Sequence, residues 1–140
     1  MTRKPRSMTM SFASLLQFTE LCTLVLATLR SILHIDEEEF FQIEISLREA
    51  VNNAIIHGNQ ADPDKRVHLK FTWEKHRLEI SVRDENPEPL DWQAIETSLC
   101  KRDLLSCSGR GLLIMRNYMD RVEFRHLHDG NEVILEKKLA

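Results

Sequence analysis

The sequence predicts an α+β fold in which helices pack on one face of an antiparallel sheet, as a two-layer sandwich. Two segments in the first half repeat apolar residues at helical spacing, and two pairs of short segments alternate apolar and polar residues. Each pair is joined by a short polar turn, which indicates hairpins and therefore antiparallel strands. Helices grouped against such strands form a second layer. Because the chain has 140 residues, we expect a single domain over residues 1–140.

The composition favours a globular cytoplasmic protein. Its formal net charge is -3, with acids and bases interspersed, whereas a nucleic-acid-binding surface needs clustered Lys and Arg. The cysteines number 3 and lack paired spacing, which argues against a disulfide framework. Glu20 interrupts the N-terminal apolar run, whose longest stretch is about half a membrane span. We therefore expect neither direct nucleic-acid binding nor a membrane segment.

The first predicted elements are an edge strand and a core-packed helix. Residues 7–12 alternate weakly between polar and apolar side chains, which favours a strand at the edge of the sheet. Residues 13–33 carry apolar side chains at helical spacing. The face expected to pack on the core consists of Phe18, Cys22, Val25, Leu29 and Ile32.

A second helix is predicted to begin after Asp36. This residue has the character of an N-cap, Glu39 completes a capping-box pattern, and Ile35 is placed as a hydrophobic staple. The apolar spacing continues for five turns. We expect the helix to stop at Gly58, because glycine readily takes the left-handed conformation that ends helices.

The middle of the chain predicts a hairpin followed by a lid. Residues 67–73 and 78–82 alternate with period two, and the polar residues 74–76 separate them, which indicates a hairpin with one buried face. Residues 85–107 lack a firm period and contain prolines. We interpret them as a loop or lid with one short helix near residues 92–98.

The C-terminal part predicts a short helix and a final hairpin. The helix spans residues 109–119, and the strands lie near residues 122–126 and 132–137. Residues 129–131, Asp-Gly-Asn, form a good turn sequence between them.

Polar side chains line one face of the second predicted helix. Glu49, Asn53 and His57 are spaced four residues apart, so they lie on the same face. An Asn oxygen is a hard neutral ligand that suits Mg²⁺, and a carboxylate can accept a proton from an attacking hydroxyl. The pattern favours metal–nucleotide chemistry, and the alternative is a solvated polar helix face.

A second candidate is Asp84, which follows the strand predicted at residues 78–82. A carboxylate that emerges from a strand into a cleft can accept a hydrogen bond from the exocyclic amine of adenine. The alternative is an ordinary aspartate at the end of a strand.

A third candidate is the run Ser108-Gly109-Arg110-Gly111-Leu112, directly before a predicted helix. Its two glycines let the backbone approach a ligand closely, and the start of a helix offers free N–H groups to an anion. Ser108 can also cap the helix. The alternative is a flexible turn into a helix.

The order of these motifs resembles that of the GHKL ATPases. Residues 49–58, Glu-Ala-Val-Asn-Asn-Ala-Ile-Ile-His-Gly, are similar to the first motif of the anti-sigma factor serine/threonine kinases. Residues 82–85, Val-Arg-Asp-Glu, and residues 108–120, which begin Ser-Gly-Arg-Gly-Leu, resemble that family's later motifs. Residues 130–137 resemble its last strand. The resemblance covers residues 10–139 and implies a two-layer α/β sandwich of the GHKL (Bergerat) type.

The resemblance implies a role for each matching residue. Glu49 would be the general base that activates a serine of a protein substrate. Asn53 would coordinate the Mg²⁺ that bridges the phosphates of ATP, and Asp84 would bind the adenine amine. Gly109 and Gly111, with the backbone after them, would hold phosphates.

The resemblance also implies the rest of the site and the partners. Residues 85–107 would be the ATP lid. The implied partners are an RNA polymerase sigma factor, which the kinase sequesters, and a STAS-type antagonist, which it phosphorylates; a homodimer is also implied. The remaining nucleotide-site residues are His57, Gly58, Asn86, Ser108, Arg110 and Leu112.

Two alternatives to a kinase stay open on the sequence. The family usually has Gly-x-Gly after the adenine-binding Asp, whereas residues 85–89 here are Glu-Asn-Pro-Glu-Pro. This departure favours a regulator of the same fold that binds partners without ATP and is catalytically weak or inactive. The ATPase domain of a histidine kinase shares the fold, but we expect no room for its phosphoacceptor helices.

Overall fold

The computed structural model describes residues 4–102 and 110–140, with the backbone alone at residues 99–102. The elements run β1 (Arg6–Ala13), α1 (Phe18–Leu33), α2 (Glu37–Asn53), β2 (Arg66–Glu74), β3 (Arg77–Arg83), α3 (Trp92–Arg102), α4 (Gly111–Tyr118), β4 (Arg121–Leu127) and β5 (Gly130–Lys138). Within these ranges no helix has the length and apolar character that crossing a bilayer requires.

The strands form one antiparallel sheet in the order β1-β2-β3-β5-β4. One face carries the apolar side chains of the alternating strands, which pack against α1 and α2; those of β2 and β3 are Val67, Leu69, Phe71, Leu78, Ile80 and Val82. The other face is charged, and Arg121 pairs there with Glu79 and Glu123, both at 3.0 Å. The α+β two-layer sandwich predicted from the sequence is confirmed.

Helix α1 begins later than predicted, and one of its five predicted core residues faces solvent. The chain after β1 is held by Ser14, whose N–H and Oγ both donate to the Lys65 carbonyl, so the helix starts only at Phe18. The stripe centred on Cys22 is buried, but Ile32 is 53% exposed, and its placement on the core face was wrong. At 100° per residue, Ile32 lies about 80° around the helix from Cys22.

Helix α2 begins as predicted, and its helical turns stop at Gly58 as predicted, but the last turn and its cap differ from expectation. The Glu39 N–H donates to Asp36 Oδ1 at 2.7 Å, which confirms the N-cap. Beyond Asn53 the helix widens into a π-helical turn over Ala54–Gly58. Gly58 is not left-handed, so the predicted glycine cap is wrong; the left-handed residues follow at Gln60 and Ala61.

Both predicted hairpins are present. The turn between β4 and β5 lies at residues 128–129, one residue earlier than the turn sequence suggested, and Gly130 already belongs to β5. The short helix expected near residues 92–98 extends to Arg102 as α3. Because β5 inserts between β3 and β4, the start of β5 lies beside the end of β3. This insertion builds the candidate site.

Candidate functional site

A narrow pocket opens between the end of α2 and the sheet. The pocket brings together Asn53 and Asp84, which the sequence placed on separate elements. Its walls come from α2, β3, α3, α4, β4 and β5, and they consist of Ala50, Asn53, Ala54, Val82, Asp84, Trp92, Met115, Phe124, Asn131, Glu132 and Val133. Most of this lining is apolar, so a bound group would face few polar atoms, each at a fixed place.

Asp84 presents one unpaired oxygen to this pocket. The residue is 1% exposed, and its Oδ1 accepts hydrogen bonds from the backbone N–H groups of Asn131 and Asn86, both at 2.9 Å. Its Oδ2 is buried and has no hydrogen-bond partner among the described residues. Burial raises the pKa of the Asp84 carboxyl, and the two N–H groups oppose this rise. Since buried acceptors are nearly always satisfied, Oδ2 fits a donor supplied by a ligand.

Gly58 makes the position of Asp84 possible. A Cβ placed on Gly58 would overlap the Asp84 carboxyl group. The π-helical turn over Ala54–Gly58 brings the backbone this close to β3, so the position needs a residue without a side chain because of space. The sequence identified Gly58 as a site residue but gave a different reason for it.

Two buried asparagines fix the segment that follows Asp84. Asn59 accepts a hydrogen bond from the Glu85 N–H at 2.8 Å and donates to Ser14 Oγ at 2.8 Å. The Asn131 side chain donates to the carbonyls of Asn86 and Glu88. Sequence reasoning gave neither asparagine this role. In the sequence each asparagine follows a glycine, but this pattern does not identify the group with which the side chain forms hydrogen bonds.

Glu49 lies against the start of α4. A Cβ on Gly111 would overlap the Glu49 carboxylate, so these two predicted residues are in close contact. Burial raises the pKa of Glu49, and the nearby negative charge of Glu96 raises it further. Glu96 itself accepts a hydrogen bond from the Leu112 N–H, one of the free amides at the start of α4. The helix terminus predicted to bind an anion therefore faces a carboxylate of α3.

Trp92 connects the lid to the pocket. Its ring lies edge-on to His57, with 6.4 Å between centroids, and contacts Phe124 at 6.2 Å. Burial lowers the pKa of His57, which keeps the imidazole neutral at physiological pH. His57 therefore packs at the rim of the pocket, on the side of α3.

The other predicted site residues divide into three groups. Asn86 contacts Asp84 through its backbone, and its Oδ1 accepts the Glu88 N–H at 3.0 Å. Arg110 is exposed at the start of α4. Ser108 and Gly109 lie outside the described residues. Glu88, which departs from the resembled family pattern, is exposed and does not line the pocket.

Comparisons with known proteins agree with this architecture. The model of the family described as histidine kinase-like ATPase domain matches residues 13–137. The anti-sigma F factor of Oceanobacillus iheyensis is 30% identical over 135 residues, which cover 95% of this chain and 92% of that protein. The anti-sigma F factor of Bacillus subtilis is 31% identical with the same coverage.

A solved structure matches the fold. The crystal structure of the RsbU and RsbW domains of a Mycobacterium tuberculosis protein covers 96% of this chain with a TM-score of 0.69 and 15% sequence identity. At this identity the likeness concerns the fold alone, and this chain spans only 32% of that longer chain.

Proposed function

Because the chain belongs to the family of histidine kinase-like ATPase domains, alongside the anti-sigma F factors, we propose that it is an ATP-dependent serine/threonine kinase acting as a cytoplasmic anti-sigma regulator. The observation that carries the proposal is the unpaired Asp84 Oδ2 at a mostly apolar pocket. It supplies one buried acceptor for one donor, which is the chemistry that the exocyclic amine of adenine requires.

The adenine half of the proposed site consists of the pocket around Asp84. The pocket has a free volume of about 10 Å³, so its apolar walls would have to move apart to surround the base, and the Asp84 carboxylate would then accept the amine hydrogen. Trp92 lies at the same pocket and offers an aromatic surface. Small-molecule sites commonly combine apolar walls with a few fixed polar groups in this way.

The phosphate half of the proposed site lies between α2 and α4. Asn53 would supply a carboxamide oxygen to Mg²⁺, which accepts few protein ligands besides phosphate oxygens. The backbone from Gly111 onward would donate N–H groups to phosphate oxygens. Bound Mg-ATP supplies the phosphoryl group that is transferred.

Glu49 would act as the general base toward the substrate serine. It is half-buried, and its raised pKa brings it closer to the pH at which it must accept a proton. Its contact with Gly111 supports this role, since it places the carboxylate beside the proposed phosphate site.

The partners are proposed from the relatives. The names of the matching proteins, anti-sigma F factors, support a sigma factor as the sequestered partner. We further propose a STAS-type antagonist as the phosphorylated substrate and a homodimer as the assembly. In this scheme, the same chain changes partner according to its nucleotide.

The first test is calorimetric titration of the purified protein with Mg-ATP and Mg-ADP, beside the Asn53→Ala variant. We expect saturable binding that Asn53→Ala weakens for both nucleotides. Transfer of labelled phosphate to a STAS-type antagonist should then be lost in Glu49→Gln while nucleotide binding is retained. A folded protein that binds neither nucleotide would contradict the kinase and leave the regulator that works without ATP.

A further inference from the structure

Asn131 uses its backbone and its side chain for two different tasks. Its backbone pairs with Asp84: its N–H donates to Asp84 Oδ1 at 2.9 Å, and its carbonyl accepts the Asp84 N–H at 3.0 Å. Its side chain is 5% exposed: Nδ2 lies 3.5 Å from Asp84 Oδ1 and Oδ1 lies 3.4 Å from His126 Nδ1, while its shorter contacts reach the segment after Asp84. There Nδ2 donates to the Glu88 carbonyl at 2.8 Å and the Asn86 carbonyl at 3.2 Å, and Oδ1 accepts the Leu90 N–H at 3.2 Å.

We propose that the Asn131 side chain is a positioning residue that fixes residues 86–90 and thereby seats Trp92 against the pocket that Asp84 faces. The inference concerns how this chain shapes its own pocket. Its consequence for nucleotide affinity rests on the proposed function.

Residues 86–90 need hydrogen bonds from another part of the protein, because they make none of the regular backbone pairs of a helix or a sheet. Residues 86–90 belong to no helix or strand, and Pro87 and Pro89 have no N–H to donate. The Asn86 N–H donates to Asp84, and the Glu88 N–H donates to the Asn86 side chain. The Asn131 amide accepts the Leu90 N–H and donates to the carbonyls of Asn86 and Glu88. These three hydrogen bonds favour this loop conformation over others that would leave the same backbone groups without a protein partner.

The hydrogen bonds from Asn131 lie close enough along the chain to fix the position of Trp92. Leu90 precedes Trp92 by two residues, and the intervening Asp91 caps α3 by accepting the Ala94 N–H at 3.1 Å. The start of α3 is therefore tied to the anchored segment. Trp92 then meets His57 on one side and Phe124 on the other.

Only an asparagine supplies this set of groups in the space available. An aspartate has the same shape but no donors, and it would bring a second carboxylate beside Asp84. A threonine or serine has a single donor on a shorter side chain. The Asn131 amide, which belongs to β5, therefore supplies the hydrogen bonds that hold the loop in place.

The test follows Trp92 by fluorescence without any nucleotide. The chain has 2 tryptophans, so Trp73→Phe leaves Trp92 as the sole reporter. In this background, Asn131→Ala should shift the emission to longer wavelength and increase acrylamide quenching. Asn52→Ala is the control, because it also deletes a side-chain amide that accepts a hydrogen bond, here from Thr19 Oγ1 at a half-buried position, but should leave the Trp92 signal as in the parent. An unchanged Trp92 signal in a folded Asn131→Ala protein overturns the proposal.

Two further measurements cover the other outcomes. If Asn131→Ala does not fold, hydrogen exchange on the parent decides: the Leu90 amide should exchange on the order of 100-fold slower than an open chain, and free exchange contradicts the anchor. Mg-ADP affinity should fall roughly tenfold in Asn131→Ala. If the parent binds no nucleotide while Asn131→Ala still moves Trp92, the proposed function fails and the positioning role stands.

Discussion

Asp84 and Glu49 are both carboxylates whose pKa is raised by burial, yet their surroundings differ. Asp84 is held by two backbone N–H groups from segments that Asn59 and Asn131 fix. Glu49 lies between helices, where Glu96 of α3 adds a second negative charge and caps α4. The proposed adenine half is thus built on the sheet, and the proposed phosphate half lies between helices α2 and α4.

This difference indicates which groups of the proposed site are already in place and which must move when a nucleotide binds. At Asp84 the acceptor is already held in place, but the pocket has a free volume of only about 10 Å³, so a base can enter only if the walls, which include Trp92 of α3, move apart. At α4, a phosphate would compete with the Glu96 carboxylate for the Leu112 N–H. We therefore expect the Asp84 acceptor to be preorganised, whereas entry of the base and binding of phosphate both require that α3 move.

The largest effect on nucleotide affinity should come from a change in the proposed adenine half. Asp84→Asn keeps an oxygen for the two backbone donors but replaces the acceptor facing the pocket with an NH₂ group. Adenine nucleotide affinity should fall at least about 100-fold, because two donors would then face each other. The free energy of unfolding at pH 7 should rise by about 1 kcal/mol, because a buried charge is removed. Calorimetric titration and urea denaturation measure the two quantities.

The matched control is Asp129→Asn at the same end of the sheet. Asp129 pairs with Arg83 at 3.1 Å but is largely exposed, so its replacement should change unfolding by less than about 1 kcal/mol and leave affinity unchanged. If Asp84→Asn retained parental affinity, Asp84 would not contact the base.

Gly58→Ala should disturb the same half through space rather than charge. The added Cβ would overlap the Asp84 carboxyl, so either the turn or Asp84 must shift. We expect a loss of about 1–3 kcal/mol in the free energy of unfolding, together with weaker nucleotide binding. Ile56→Ala, in the same turn but exposed, is the control for a general effect on the turn. A Gly58→Ala protein as stable as the parent would show that the turn relaxes freely.

The sequence predicted the fold well because burial leaves a period in the chain. The alternation in β2 and β3 and the capping residues at Asp36 depend on local geometry, and both agree with the structure. The start of α1 depends on a distant contact with Lys65 and was mispredicted, whereas the helical turns after α2 stop at Gly58 as predicted but without the left-handed cap. Local patterns thus located elements but not the bounds that tertiary contacts set.

The site was partly predictable for the same reason. Helical spacing placed Glu49 and Asn53 on one face of α2. The pairing of Asp84 with Asn131 joins residues 47 apart in the chain and exists because β5 lies next to β3, which no local pattern reveals. The contact of Glu96 with α4 was missed, since nothing in the spacing of α3 marks that carboxylate. The roles of all these residues remain predictions.

A change in the proposed phosphate half should have a smaller effect on nucleotide affinity, and of the opposite sign. Glu96→Gln keeps an oxygen for the Leu112 N–H but removes the negative charge from the place where phosphate would bind. Mg-ADP affinity should increase roughly threefold to tenfold, because charge repulsion is lost and the cap is weaker. Glu88→Gln, an equal charge change on an exposed side chain, should leave affinity as in the parent. Weaker binding in Glu96→Gln would instead indicate that Glu96 supports the site.

The smallest effect concerns proton binding by Glu49. Its folded pKa lies above the ordinary value of 4.5, so between the two values the folded protein binds more protons than the unfolded chain. Glu49 therefore stabilises less as pH rises through this window, and above its folded pKa the full penalty of burying its charge is present. The gain in unfolding free energy from Glu49→Gln should be smallest near pH 4.5 and grow to a plateau toward pH 8, which urea denaturation across this range can follow. In a Glu96→Gln background the growth should be smaller, because one cause of the pKa shift is gone. A gain that shrinks with rising pH would mean that the fold stabilises Glu49 as a carboxylate. Glu49 would then differ from Asp84, whose charged form is destabilised by burial.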